Sequence, residues 1–195
     1  VFLPSTTSTS SPPPSSGSES SSKKAVTATT IETNLDPDYL ATREDCIAAL
    51  QRVTLWDFIS SRGGLDAQLA TDTFSQGQKQ LFSLARAIVR RRVRARETGN
   101  DSDNGGDGGV LLLDEVSSSV DRETEETMAR VIAEEFKGWT VVMVSHRLGM
   151  VMRWFDRVVV MDKGGIVETG RPRELVEQEG SRFRELWLAQ AGGQN

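Results

Sequence analysis

The chain has 195 residues, 28 acidic and 23 basic side chains, a net charge of −5, one histidine and one cysteine. Hydrophobic residues at 37% and charged residues at 26% place it among globular proteins of one domain, or one domain with tails. The lone Cys46 excludes a disulfide framework and a cysteine-rich zinc site, and the acidic balance argues against nucleic acid as a partner. No apolar run approaches the ~20 residues that span a bilayer. The chain starts at Val1 with no signal-peptide pattern, so a fragment or an incomplete gene product is the expectation.

Residues 4–22 hold ten Ser, three Thr and four Pro. So little apolar surface cannot offset the entropy of ordering, and disorder is expected across 1–30. Thr42-Arg-Glu-Asp45 reads as a capping box that opens a helix with Cys46, Ile47, Leu50 and Val53 on one side. Residues 75–92 carry the clearest helical pattern, with Leu81, Leu84, Ala85 and Ile88 along one stripe. Six arginines from Arg86 to Arg96 lie toward its carboxyl end, where a solvated face that complements the helix dipole is the expected arrangement. Gly99 to Gly109 reads GNDSDNGGDGG, a flexible loop by composition.

Val110–Leu113 predicts a buried strand. Asp121 can cap a helix whose inward positions are Met128, Val131, Ile132 and Phe136. Trp139–Val144 and Arg157–Met161 are further strand-like runs, and Asp162-Lys-Gly-Gly165 predicts a turn into Ile166–Glu168. A short helix is expected after Pro172 and another around Phe183–Leu188, with Trp154 and Trp187 as packing residues. Strands alternating with helices imply an α/β domain with a mainly parallel sheet.

Three groups of residues carry chemistry. Val110-Leu-Leu-Leu-Asp114-Glu115 delivers two carboxylates to the end of a strand, where α/β proteins bind ligands. Asp114 can hold Mg²⁺, a hard cation that prefers oxygen, and Glu115 can orient or deprotonate a water for attack on a phosphate. Taken alone, the same six residues also fit a strand followed by a solvated acidic turn. Phe74-Ser-Gln-Gly-Gln78 opens the strong helix: Ser75 caps it, Gly77 removes bulk, and its free amides form a phosphate site that Gln76 and Gln78 flank. An ordinary Ser-capped helix is the alternative. His146 follows the strand-like run Thr140–Val144, either as a surface histidine or as a donor to a γ-phosphate.

In this order the elements resemble the nucleotide-binding domain of ATP-binding cassette (ABC) transporters. FSQGQKQLFSLARAIVRR is similar to the family's signature motif and helix, VLLLDE to Walker B with its catalytic glutamate, and SSSVD to the D-loop. Ser145-His146-Arg147 resembles the switch-histidine loop, and DKGGIVETGRPREL the closing hairpin and helix. Asn34-Leu-Asp-Pro37 is similar to the second such domain of the C subfamily, the multidrug-resistance and conjugate exporters. The resemblance implies a partial P-loop NTPase-like fold, with a helical subdomain at 31–98, a loop at 99–109, the carboxy-terminal part of the core at 110–190 and a tail at 191–195. No segment fits G-x-x-x-x-G-K-[ST], and the amino-terminal P-loop half is expected to be missing.

The resemblance also implies an ATPase that drives export across a membrane, with ATP and Mg²⁺ as cofactors. Its partners would be a second nucleotide-binding domain paired head to tail and transmembrane domains elsewhere in the protein. Asp114 would serve the metal, Glu115 and His146 the chemistry, and Ser75, Gln76, Gly77, Gln78 and Asp121 the nucleotide. The segment itself would be a soluble, cytoplasmic-face part of a membrane protein, inactive alone without a Walker A motif. Two other readings stay open: a binding module that supplies only the signature face, and an ABC-type ATPase of the chromosome-maintenance or DNA-repair class.

Overall fold

The computed structural model describes residues 29–69, 73–99, 108–116 and 120–192. The expected disorder of 4–22, most of the 99–109 loop and Ser117–Ser119 of the D-loop-like stretch lie outside those residues.

The amino-terminal part is helical. Thr30 caps α1 (Ile31–Leu35) by accepting from the Thr33 amide, and it pairs with Gln68 in an isolated antiparallel bridge. Asp36, almost fully buried, accepts from the Ala41 amide at 2.7 Å and so closes the turn at 37–38 that follows α1. α2 (Arg43–Arg52) opens with the expected capping box between Thr42 and Asp45 and buries Cys46, Ala49 and Leu50. Burial works to raise the Asp45 carboxyl, but hydrogen bonds from Thr42 and the charge of Arg96 outweigh it and hold the carboxyl below its usual range. α3 (Trp56–Ser60) and a 3₁₀ turn (Gly64–Asp66) lead to α4 (Gln76–Glu97).

α4 runs five residues further than its apolar stripe predicts. Arg96 reaches Asp45 at 2.8 Å, while Arg91 and Arg92 turn to Glu135. The arginine run is therefore not a solvated face throughout, because Arg91, Arg92 and Arg96 find carboxylates on neighbouring helices. Glu135, only 7% exposed, also accepts from Arg52 Nε at 2.6 Å, and this hydrogen bond raises the Arg52 guanidinium above its ordinary range.

β1 (Val110–Asp114), α5 (Arg122–Glu135) and β2 (Thr140–Val144) follow, and β1 pairs with β2 in parallel from Val110↔Thr140 to Asp114↔Val144. Gly109 is the last residue before the sheet: a Cβ there would lie 2.5 Å from the Trp139 ring, while its carbonyl accepts from the Thr140 amide. β1 is covered on one face only. Leu111 and Leu113 join the main core, whereas Leu112, on the other face, is 72% exposed.

α6 (Leu148–Trp154) leads to β3 (Val158–Asp162) and β4 (Gly165–Gly170), an antiparallel hairpin turned by Lys163 and Gly164, both at positive φ. α7 (Pro172–Glu177) has its proline at the first turn. α8 (Arg182–Gly192) is capped from a distance: the Glu168 carboxylate accepts from Ser181 Oγ and from the amides of Arg182 and Phe183. The fold is thus mixed α/β, as expected, but not on a mainly parallel sheet. Among the described residues parallel pairing is confined to β1 and β2, and β3 with β4 forms a separate antiparallel sheet.

Two cores result. The larger joins α1 to α5 with β1, and the smaller gathers Val158, Val160, Leu175 and Phe183 beneath α6. Trp154 is 45% exposed, so it does not pack as the apolar neighbours in sequence suggest.

Candidate functional site

The first group of candidate residues sits at the start of α4. Phe74, buried, stacks between Phe58 and Phe82 with ring centroids 5.8 and 5.2 Å apart, which anchors the residue before the helix. Ser75 and Gln78 then form a reciprocal capping box. The Gln78 amide donates to Ser75 Oγ at 3.2 Å and the Ser75 amide to Gln78 Oε1 at 3.0 Å. The Gln76 and Gly77 amides, in the first turn, have no residue four back in the helix to bond.

Gly77 has a second role. A Cβ there would lie 3.2 Å from Thr124 Oγ1, so glycine lets the start of α4 approach the start of α5. Asp121 caps that helix, accepting from the Thr124 amide and from Thr124 Oγ1, each at 2.9 Å. Those bonds, the amide first, hold the Asp121 carboxyl below its usual range. Ser75, Gln76, Gly77, Gln78 and Asp121 therefore belong to two adjoining helix starts.

The second group lies at the carboxyl edge of the parallel pair. Asp114 ends β1, and the Glu115 amide adds one further rung by donating to the Val144 carbonyl at 3.0 Å. That rung holds Glu115 at φ 46°, a left-handed conformation that glutamate rarely takes. Strain of this kind collects at functional positions. His146, two residues past β2, brings Nδ1 to 3.9 Å from Glu115 Oε1, with both side chains more than half exposed. Among the described residues, no hydrogen bond or ion pair joins Ser75–Gln78 to Asp114, Glu115 or His146.

The residues present fit a magnesium nucleotide in part. The first turn of α4 carries no acidic side chain to repel a phosphate, and it offers two amides and a hydroxyl. No group of three or more metal-ligating side chains exists among the described residues. Mg²⁺ does not require one, since it is commonly held by one or two carboxylates together with the phosphates themselves. Asp114 can supply that single ligand.

In the sequence Arg147 stands out only as a member of the histidine loop, and Gln190 does not stand out at all. Arg147 donates to the Val120 carbonyl at 3.0 Å and to Glu125 at 3.1 Å, linking the histidine loop to the start of α5. Gln190 of α8 meets the same loop from the other side. Neither has a local pattern that would have singled it out, because each partner lies more than 20 positions away.

No protein-family model matches the chain. Over 159 residues, 82% of its length, it is 57% identical to "ABC-type transporter braE" of Annulohypoxylon truncatum, covering 11% of that protein. It is 40% identical over 160 residues to "ABC multidrug transporter B" of Aspergillus fumigatus, covering 82% of this chain and 10% of that one. A solved structure of a bacterial Atm1-family ABC exporter with ATP bound matches 84% of the chain and 26% of its own, with a TM-score of 0.66 and 26% identity. No helix among the described residues is long and apolar enough to cross a membrane. Over four fifths of its length, then, the chain is homologous to ABC transporters, and it spans about a tenth of the curated relatives it matches.

Proposed function

We propose that the chain is part of a nucleotide-binding domain of an ABC exporter of the C subfamily, and that it couples ATP binding and hydrolysis to export. One observation carries this reading: Asp114 and Glu115 end one strand, His146 follows its parallel neighbour, and Glu115 and His146 approach to 3.9 Å. The similarity to ABC transporters and to an ATP-bound exporter supports it. Asn34–Pro37 and the segment after it favour the C subfamily.

Bound Mg²⁺–ATP supplies the scissile phosphate bond and the charge that offsets its oxygens. Asp114 would hold the cation. Glu115 would accept a proton from the attacking water, and His146 would donate a hydrogen bond toward the γ-phosphate. Ser75, Gln76, Gly77, Gln78 and Asp121 would face the nucleotide held on a second such domain, in a head-to-tail pair beneath transmembrane domains.

Glu115→Gln keeps the shape of the side chain and removes the base. In the transporter that carries this segment it is expected to retain ATP and to lower steady-state hydrolysis on the order of 100-fold or more. Unchanged hydrolysis would remove Glu115 from the chemistry. A second reading, a signature face without hydrolysis of its own, is favoured by the lack of a G-x-x-x-x-G-K-[ST] segment in these 195 residues.

A further inference from the structure

The loop that carries His146 is gripped on both sides. On one side Gln190, near the end of α8, pairs its side-chain amide with the two peptide groups that flank Arg147, the first of them carrying the histidine's own carbonyl. Its Nε2 donates to the His146 carbonyl at 2.7 Å, and its Oε1 accepts from the Leu148 amide at 2.9 Å. On the other side Arg147 donates to the Val120 carbonyl and to Glu125, while its own amide donates to Ser145 Oγ at 3.0 Å. Between these grips the imidazole stands 57% exposed, with Glu115 as its near charged neighbour. Gln190 thus fixes the peptide that leaves His146 and the one after it, and with them the backbone from which the ring departs.

We infer that Gln190 is a positioning residue: by clamping the His146 carbonyl and the Leu148 amide, α8 fixes the imidazole opposite Glu115. The inference rests on the reading of Glu115 and His146 as the hydrolytic pair. A primary amide suits the task because it donates and accepts in one plane, matching a peptide carbonyl and a peptide amide two residues apart. Glutamate in its place keeps the acceptor for Leu148 and loses the donor to His146. Alanine loses both. Because a misplacement of about 1 Å can cost on the order of 100-fold in rate, even partial release of the loop should register in turnover.

The test combines one assay with one resonance. In the transporter that carries this segment, Gln190→Ala is expected to lower kcat about tenfold with KM for ATP unchanged within about twofold, and Gln190→Glu to fall between it and the parent. In the 195-residue chain His146 is the sole histidine, so its ring signals in a proton–carbon NMR spectrum need no assignment. They are expected to shift in both variants. Exchange of the Leu148 amide should quicken in Gln190→Ala and stay slow in Gln190→Glu, with the α8 amides unchanged. Unaltered kcat, an unmoved His146 signal, or a general loss of α8 protection in place of the local one would each overturn the inference. Glu115→Gln and His146→Ala run beside these variants. If they leave hydrolysis intact, the hydrolytic reading fails and takes the positioning role with it; if they abolish it while Gln190→Ala does nothing, only the positioning role fails.

Discussion

Cys46 illustrates how position alone sets chemistry. Burial in α2, with Asp36, Glu32 and Asp45 nearby, pushes its thiol up to about 11. The fold favours the neutral thiol, so this stabilisation is complete below the unfolded thiol's pKa of about 8.5 and is lost as pH rises through about 11. Iodoacetamide at pH 8 is therefore expected to label the folded chain slowly and the urea-unfolded chain at the rate of a free thiol. Equal rates would mean that the helix opens far more easily than its packing implies. Cys46 was assigned to a buried helix stripe on spacing alone, and its inertness follows from that assignment. Glu115 was legible as a chemical group but not as a strained one, since its positive φ arises from a hydrogen bond to Val144, 29 positions away.

At the level of elements, the helix starts were the most legible features. Thr42 with Asp45, Ser75 and Asp121 all cap as read, because a cap is settled by residues three apart, and Gln78 adds the other half of a box at Ser75 that the reading had not assigned. Glu135 was invisible for the opposite reason. Its arginine partners come from α2 and α4, 83, 44 and 43 positions away, and nothing local marks a carboxylate at the end of α5 as buried. It ties three helices together. Glu135→Ala would take the shared carboxylate from Arg91 and Arg92, while Arg52 keeps Glu134 at 2.7 Å, and with those arginines partly exposed the cost should be about 3 kcal/mol. A lower urea midpoint with unchanged slope would report it. A midpoint within error of the parent's would show that the cluster contributes nothing net.

For the whole molecule, the sheet was half legible. The apolar run of β1 suggested burial on both faces, but Val110 and Leu112 of β1 and Val142 and Val144 of β2 are exposed on an open face, with Leu112 and Val142 side by side in register. Periodicity says that a strand is apolar; only the rest of the sheet decides what covers it. A contiguous apolar face of this kind binds hydrophobic dyes. The 195-residue chain should enhance 8-anilinonaphthalene-1-sulfonate fluorescence in its folded state, and Leu112→Glu should reduce the signal without lowering the melting temperature. Absence of enhancement in the parent would mean that the face is covered in solution.

The remote cap on α8 has a consequence for how the molecule opens. Glu168 seats the start of that helix on the small hairpin core, while Gln190, at its other end, reaches the loop that leaves β2. The histidine thus stands between the two cores, and separate cores of unequal size can open separately. Each such excursion would release the Gln190 side of the loop while Arg147 still ties it to Val120 and Glu125, without unfolding the starts of α4 or α5. The arrangement gives the molecule a partly opened state in which every candidate residue is intact and only their alignment is lost.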